Sequence, residues 1–128
     1  MRKLIYPAIF HKEDDAFWVE FPDLEGCQSF ADTLEELHEN AKEALAAYCV
    51  TLLEQNRTLA PPSDIYKIKA PDNACVSLVD ADIIKKSRAV KKTLTIPSWL
   101  NEMAEKKRIN FSGTLQDALM QQLSIGGH

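Results

Sequence analysis

Two groups of residues in this 128-residue chain carry side chains suited to chemistry or recognition. The first is a set of carboxylates near the front: Asp14, Asp15, Glu20, Asp23 and Glu25. Cation-assisted hydrolysis needs several acids converging on one site from separate elements. Asp14 and Asp15 share one turn, and Asp23 and Glu25 share one loop. That spacing argues against a two-metal centre and against an enzyme, and no cofactor or metal is expected. His11, His38 and His128 have no metal-ligand spacing, and His38 falls within a helix. Cys27, Cys49 and Cys75 are far apart and form no CxxC pair. They read as small buried hydrophobes rather than disulfide partners or zinc ligands.

The second group lies towards the end. In residues 90–97 the side chains alternate, with Lys91, Thr93 and Thr95 on one face and Leu94 and Ile96 on the other. Lysine suits guanine acceptors, and threonine can hydrogen-bond a base edge or touch a thymine methyl. Lys85, Lys86 and Arg88 just upstream suit phosphate contacts. Pro97 stops this strand. A helix follows with Trp99, Leu100, Met103 and Ala104 apolar, ending in Lys106, Lys107 and Arg108. A second helix begins at Asn110 or Ser112 and carries Leu115, Ala118, Leu119 and Leu123. The N–H groups near Asn110, Ser112 and Gly113 are placed to hold a phosphate.

A strand and two short helices are too little to bury a core alone. A lone strand also leaves its backbone groups unpaired. Both problems vanish if two chains pair these strands antiparallel and interlock their helices. The polar ribbon face then fits a major groove. The pattern, with its Leu-x-Ile-Pro passage from strand to helix, resembles the ribbon-helix-helix repressors. The plainer alternative is a solvated dimerisation unit.

The elements ahead of this module read differently. Residues 3–10 and 16–21 form a hairpin around a polar turn, with Pro7 marking an edge strand or a bulge. Residues 27–30 form a short third strand. Thr33 with Glu36 is a capping box, and Leu34, Leu37, Ala41, Ala44, Leu45, Tyr48 and Leu52 line one face of a helix running to about Asn56. Residues 65–68 and 76–79 are further strand candidates. The order β-β-β-α-β-(β) is an α+β sheet with one helix on a face. Trp18 and Phe21, on alternating sides, fit core and partner roles equally well.

Charge divides the chain at the same place. Residues 1–80 carry seven basic and fifteen acidic residues, a net −8, whereas residues 81–128 carry eight and four, a net +4. The basic back suits nucleic acid, and the acidic front suits a basic protein. We expect a front domain at 1–80, a linker at 81–89 and a DNA-binding, dimerising domain at 90–125. The apolar start meets Pro7 and His11 too soon for a signal peptide. No apolar run approaches a membrane span, so a cytoplasmic chain with no membrane partner is expected. Residues 126–128 read as an appended tail.

Residues 19–27 (Val-Glu-Phe-Pro-Asp-Leu-Glu-Gly-Cys), 32–36 (Asp-Thr-Leu-Glu-Glu) and 40–45 (Asn-Ala-Lys-Glu-Ala-Leu) resemble the HicB antitoxin family, over about residues 3–65. One departure is the first turn, residues 12–15, which lacks the glycine often seen there. The resemblance implies a partial ribonuclease-H-like front that neutralises HicA, a small basic RNA-cleaving toxin with an active-site histidine. The antitoxin covers that site, and the complex represses its own operon. Many of these proteins append a ribbon-helix-helix module. Partners implied are a HicA-like toxin, operator DNA and a second copy, as a dimer or tetramer. Trp18, Glu20, Asp23 and Glu25 are the toxin-contact candidates. Two alternatives stay open: a stand-alone ribbon-helix-helix regulator with a sensing front domain, and a nucleic-acid-processing enzyme.

Overall fold

The computed structural model describes residues 3–125, apart from the side chain of Lys85. The expected tail at 126–128 lies outside the described residues. The chain divides into two compact units, Lys3–Ser87 and a second whose described part is residues 88–125.

The front unit is built on four strands: β1 (Lys3–Glu13), β2 (Ala16–Glu20), β3 (Gln28–Ala31) and β4 (Ala74–Asp82). They form one sheet in the order β3-β2-β1-β4, with every neighbouring pair antiparallel. The β1–β2 turn that lacks glycine is made by Asp14, which takes φ +48°. Aspartate is one of the few side chains that tolerate this left-handed region.

Helix α1 (Leu34–Glu54) covers one face of the sheet. Thr33 caps it, its Oγ1 accepting from the Glu36 N–H at 3.2 Å. Leu37, Ala41, Leu45 and Cys49 are fully buried along its inner stripe, at the helical spacing that sequence periodicity gives. They meet Leu4, Tyr6, Ala8, Val19 and Val79, the buried residues on alternate positions of the strands. Asn56 at φ +57° ends the helix. The Arg57 N–H returns to the Leu52 carbonyl at 2.8 Å, closing the last turn.

Three sequence expectations change. β1 as a whole lies between β2 and β4, yet at Pro7 itself it has β4 alone beside it, so the edge expected there is a local one. Its register explains the tolerance: residues 3–8 pair with β4 alone, and β2 joins only from Ile9 onward. The missing N–H therefore costs no second ladder. Residues expected as a strand at 65–68 form instead a single 3-10 turn, Ile65–Lys67. Asp64 caps it, accepting from the Tyr66 N–H at 2.9 Å, so local capping outweighs β-propensity there. Finally, residues 81–87 are no free linker. β4 runs to Asp82, and Ala81 and Ile83 are buried. The short helix α2 (Ile83–Lys86) follows, with Ser87 Oγ donating to the Ile83 carbonyl at 2.5 Å.

The second unit holds α3 (Ser98–Lys106) and α4 (Phe111–Gln122). Arg108 at φ +55° makes the turn between them. Residues 88–97 form no regular element, so the strand expected at 90–97 is absent from the single chain. A strand exists through its hydrogen-bonded neighbour, and among the described residues no strand is paired with these.

Candidate partner-binding and nucleic-acid surfaces

The sheet face opposite α1 is read from the register. Val19 is fully buried towards α1, so its neighbours Trp18 and Glu20 point the other way. His11 pairs with Trp18, and Trp18 with Phe30, in one row across three strands. The His11 and Trp18 rings stack at 3.9 Å between centroids, 7° from parallel. Glu20 Oε2 lies 2.7 Å from His11 Nε2. Trp18 and Glu20, both singled out from sequence, are thus brought together by a histidine that sequence reading left in a turn. The missed signal is the strand's length: β1 continues through Glu13 and carries His11 into register with Trp18.

The other two candidates sit elsewhere. Asp23 is occupied in holding a second segment, since its carboxylate accepts from the Ser63 N–H at 2.9 Å and from the Ser63 hydroxyl. Glu25 is exposed, and its carbonyl accepts from the Tyr48 hydroxyl at 2.8 Å. Phe21 is core. The Tyr6 hydroxyl donates to the Ala60 carbonyl at 2.5 Å. Burial, with Cys49 and Asp23 nearby, pushes the Tyr6 phenol up to about 12.

Two of the three cysteines are the buried hydrophobes expected. Burial raises the Cys27 thiol to about 12 and the Cys49 thiol to about 11, so both stay protonated and unreactive. Cys75 departs from that expectation and is exposed on β4. A shallow groove of about 420 Å³ lies beside Gly26, Cys27, Ala44, Tyr48, Thr51 and Arg57. It joins no nucleophile to a base. Among the described residues no three His, Cys, Asp or Glu gather into a cation site, and no helix is long and apolar enough to cross a membrane.

In the second unit, Arg88, Lys91, Thr93 and Thr95 are all exposed, as is Lys86 at the end of the front unit. The Lys85 side chain lies outside the described residues. Asn110 caps α4, its Oδ1 accepting from the Gly113 N–H at 3.1 Å. That N–H is therefore already used, which leaves Phe111 and Ser112 to offer theirs. A Cβ on Gly113 would sit 3.0 Å from Asn110 Nδ2, so glycine leaves room for the cap. Ten large apolar side chains of this unit are exposed, among them Leu94, Ile96, Trp99, Met103, Phe111 and Leu119.

Residues 6–119 match the family model for the HicB-like antitoxin of bacterial toxin-antitoxin systems. The chain belongs to that family. A relative in Haemophilus phage HP1, an uncharacterized 14.9 kDa protein of the rep-hol intergenic region, is 34% identical over 101 residues, 76% of each chain. Among solved structures, a chain of a toxin-antitoxin complex from Streptococcus pneumoniae is 28% identical with a TM-score of 0.62, covering 94% of this chain and 99% of that one. A chain of a HicA3 and HicB3 toxin-antitoxin complex is 29% identical with a TM-score of 0.53, covering 62% of this chain and 99% of that one. The Burkholderia pseudomallei antitoxin HicB shares the fold at 23% identity and a TM-score of 0.62, over 94% and 98% of the two chains. The family is one of antitoxins and not of enzymes. Two surfaces of the chain leave large apolar side chains exposed: the outer sheet face, with Ile5, Phe30 and Leu78, and the second unit.

Proposed function

We propose that this chain neutralises a HicA-like RNA-cleaving toxin with its front unit and represses its own operon with its second unit. Family membership over residues 6–119 carries the first half. The net −8 of residues 1–80 fits a basic toxin. The β-β-β-α-β order of the front fits a partial ribonuclease-H-like sheet. Inhibition is steric, with Trp18 and Glu20 among the contacts that cover the toxin's active-site histidine. Asp23 shapes the neighbouring loops instead, and Glu25 lies at their rim.

The ten exposed apolar side chains support the second half. A second copy buries them by pairing residues 90–97 into an antiparallel ribbon and interlocking α3 and α4, which makes a ribbon-helix-helix dimer. Lys91, Thr93 and Thr95 then face the major groove from both copies. Asn110 and Gly113 hold the start of α4 in shape, and the Ser112 N–H meets a phosphate.

The test is co-purification with the product of the adjacent gene, followed by mass measurement of the complex. Lys91→Ala with Thr93→Ala should abolish operator binding and leave toxin neutralisation intact, and operator affinity of the parent should fall steeply with salt. Unchanged operator affinity in that variant would show that the strand is not the reader.

A further inference from the structure

A sheet covered on one face by a helix ordinarily shows alternating polar residues to water on the other. This one does not. Opposite α1, Leu78 pairs with Pro7, Val76 with Ile9, and Trp18 with Phe30, so apolar side chains cross all four strands. Pro7 and Ile9 are buried within the stripe, while Leu78 and Ile5 are each 52% exposed and Phe30 is 65% exposed. Lys3 and Asp80 pair at 3.5 Å at one end, and the Glu20–His11 pair lies within the face, Glu20 beside Ile9 and His11 beside Trp18. An exposed apolar face with a fixed charged pair set within it suits a protein partner better than water.

We infer that the toxin docks across this stripe, with the Trp18 ring as a rigid anchor towards its β3 side. The inference rests on the antitoxin reading above and locates the contact. Three observations choose the occupant. A second copy laid face to face would bring two modules of net −8 together, which like-charge repulsion opposes. A basic partner meets the same field favourably. The stack on His11 holds the Trp18 ring before binding, so little rotamer freedom is lost when it is covered. The competing surface, the loop at residues 21–27, is knitted into the molecule: Asp23 holds Ser63, and the Phe21 N–H donates to the Cys27 carbonyl at 3.1 Å.

The probe is the small basic protein encoded beside this chain's gene, made with its active-site histidine replaced by alanine and titrated calorimetrically into the full-length chain. Phe30→Asp with Leu78→Asp should weaken binding at least 100-fold, and Trp18→Ala at least 10-fold. Glu54→Ala, exposed at the end of α1, should bind within about 2-fold of the parent. Operator affinity and thermal melting of the variants should match the parent. If Phe30→Asp with Leu78→Asp unfolds, Ile5→Lys and Trp18→Ala, tested singly, carry the same decision. Parent-like affinity in the folded stripe variants overturns the inference and leaves the antitoxin reading standing. A loss of self-association in them means a second copy covers the stripe, and also overturns it. Failure of the parent to bind the probe overturns the antitoxin reading first, and the stripe with it.

Discussion

The two units of this chain bury their apolar residues very differently. In the front unit Val19, Leu37, Leu45, Cys49 and Val79 are all but sealed from water, and a sheet and one helix suffice to seal them. In the second unit Met120 is buried, yet ten large apolar side chains stand exposed between Val90 and Leu123. About 35 residues cannot enclose a core by themselves. The difference teaches that the front buries its core with its own contacts, whereas the second unit does not, which is why we propose that a second copy covers it.

That contrast can be broken by substitution. Leu45→Ala should cost the front unit about 2–5 kcal/mol through lost burial and a residual cavity. Its melting shift should be the same at every protein concentration. Leu94→Asp with Ile96→Asp should cost on the order of 3 kcal/mol of self-association, about 100-fold. It should leave the front unit's melting point in place. A concentration-independent loss from the second change would remove the distinction.

Alkali sharpens it. The buried Tyr6 phenol and the Cys27 and Cys49 thiols lie above their ordinary values of 10.0 and 9.0, at about 12, about 12 and about 11. Folding therefore favours their protonated forms. The stability they support is complete below about pH 9 and is lost as pH rises through about 11 to 12. All three groups belong to the front, and no Tyr or Cys follows Cys75. Trp18 reports one unit and Trp99 the other, so single-tryptophan variants should show the front loosening first. Equal transitions at both tryptophans would count against this.

The smallest effects come from the helix caps. Thr33→Ala and Asn110→Ala should each cost about 1 kcal/mol. The first should appear as a lower front melting point, measured by circular dichroism, and the second as weaker self-association in sedimentation.

Much of this was legible because it is local. Thr33 and Glu36 stand at capping distance, and the stripe from Leu37 to Cys49 repeats every three or four residues. The family resemblance rests on runs that fall in β2, the loop after it and α1. What was not legible depends on pairing. Pro7 is tolerated because of where β2 joins β1, and no local pattern states that. His11 joins Trp18 and Glu20 on the outer sheet face only through its register with Trp18. Leu78, Ile9 and Phe30 are ordinary strand residues in sequence, and become one stripe only when four strands align. Residues 90–97 show the converse: a strand pattern is present, and the described residues supply no partner strand.

The most direct test of the two-unit account is to end the chain after Ser87, whose hydroxyl closes α2, and to measure its mass in solution beside the full-length protein. The account predicts that the full-length chain self-associates, while the truncated chain is a folded monomer that still binds the toxin and no longer binds the operator. A truncated chain that keeps the full-length assembly would place the dimer contact in the front unit and contradict the account.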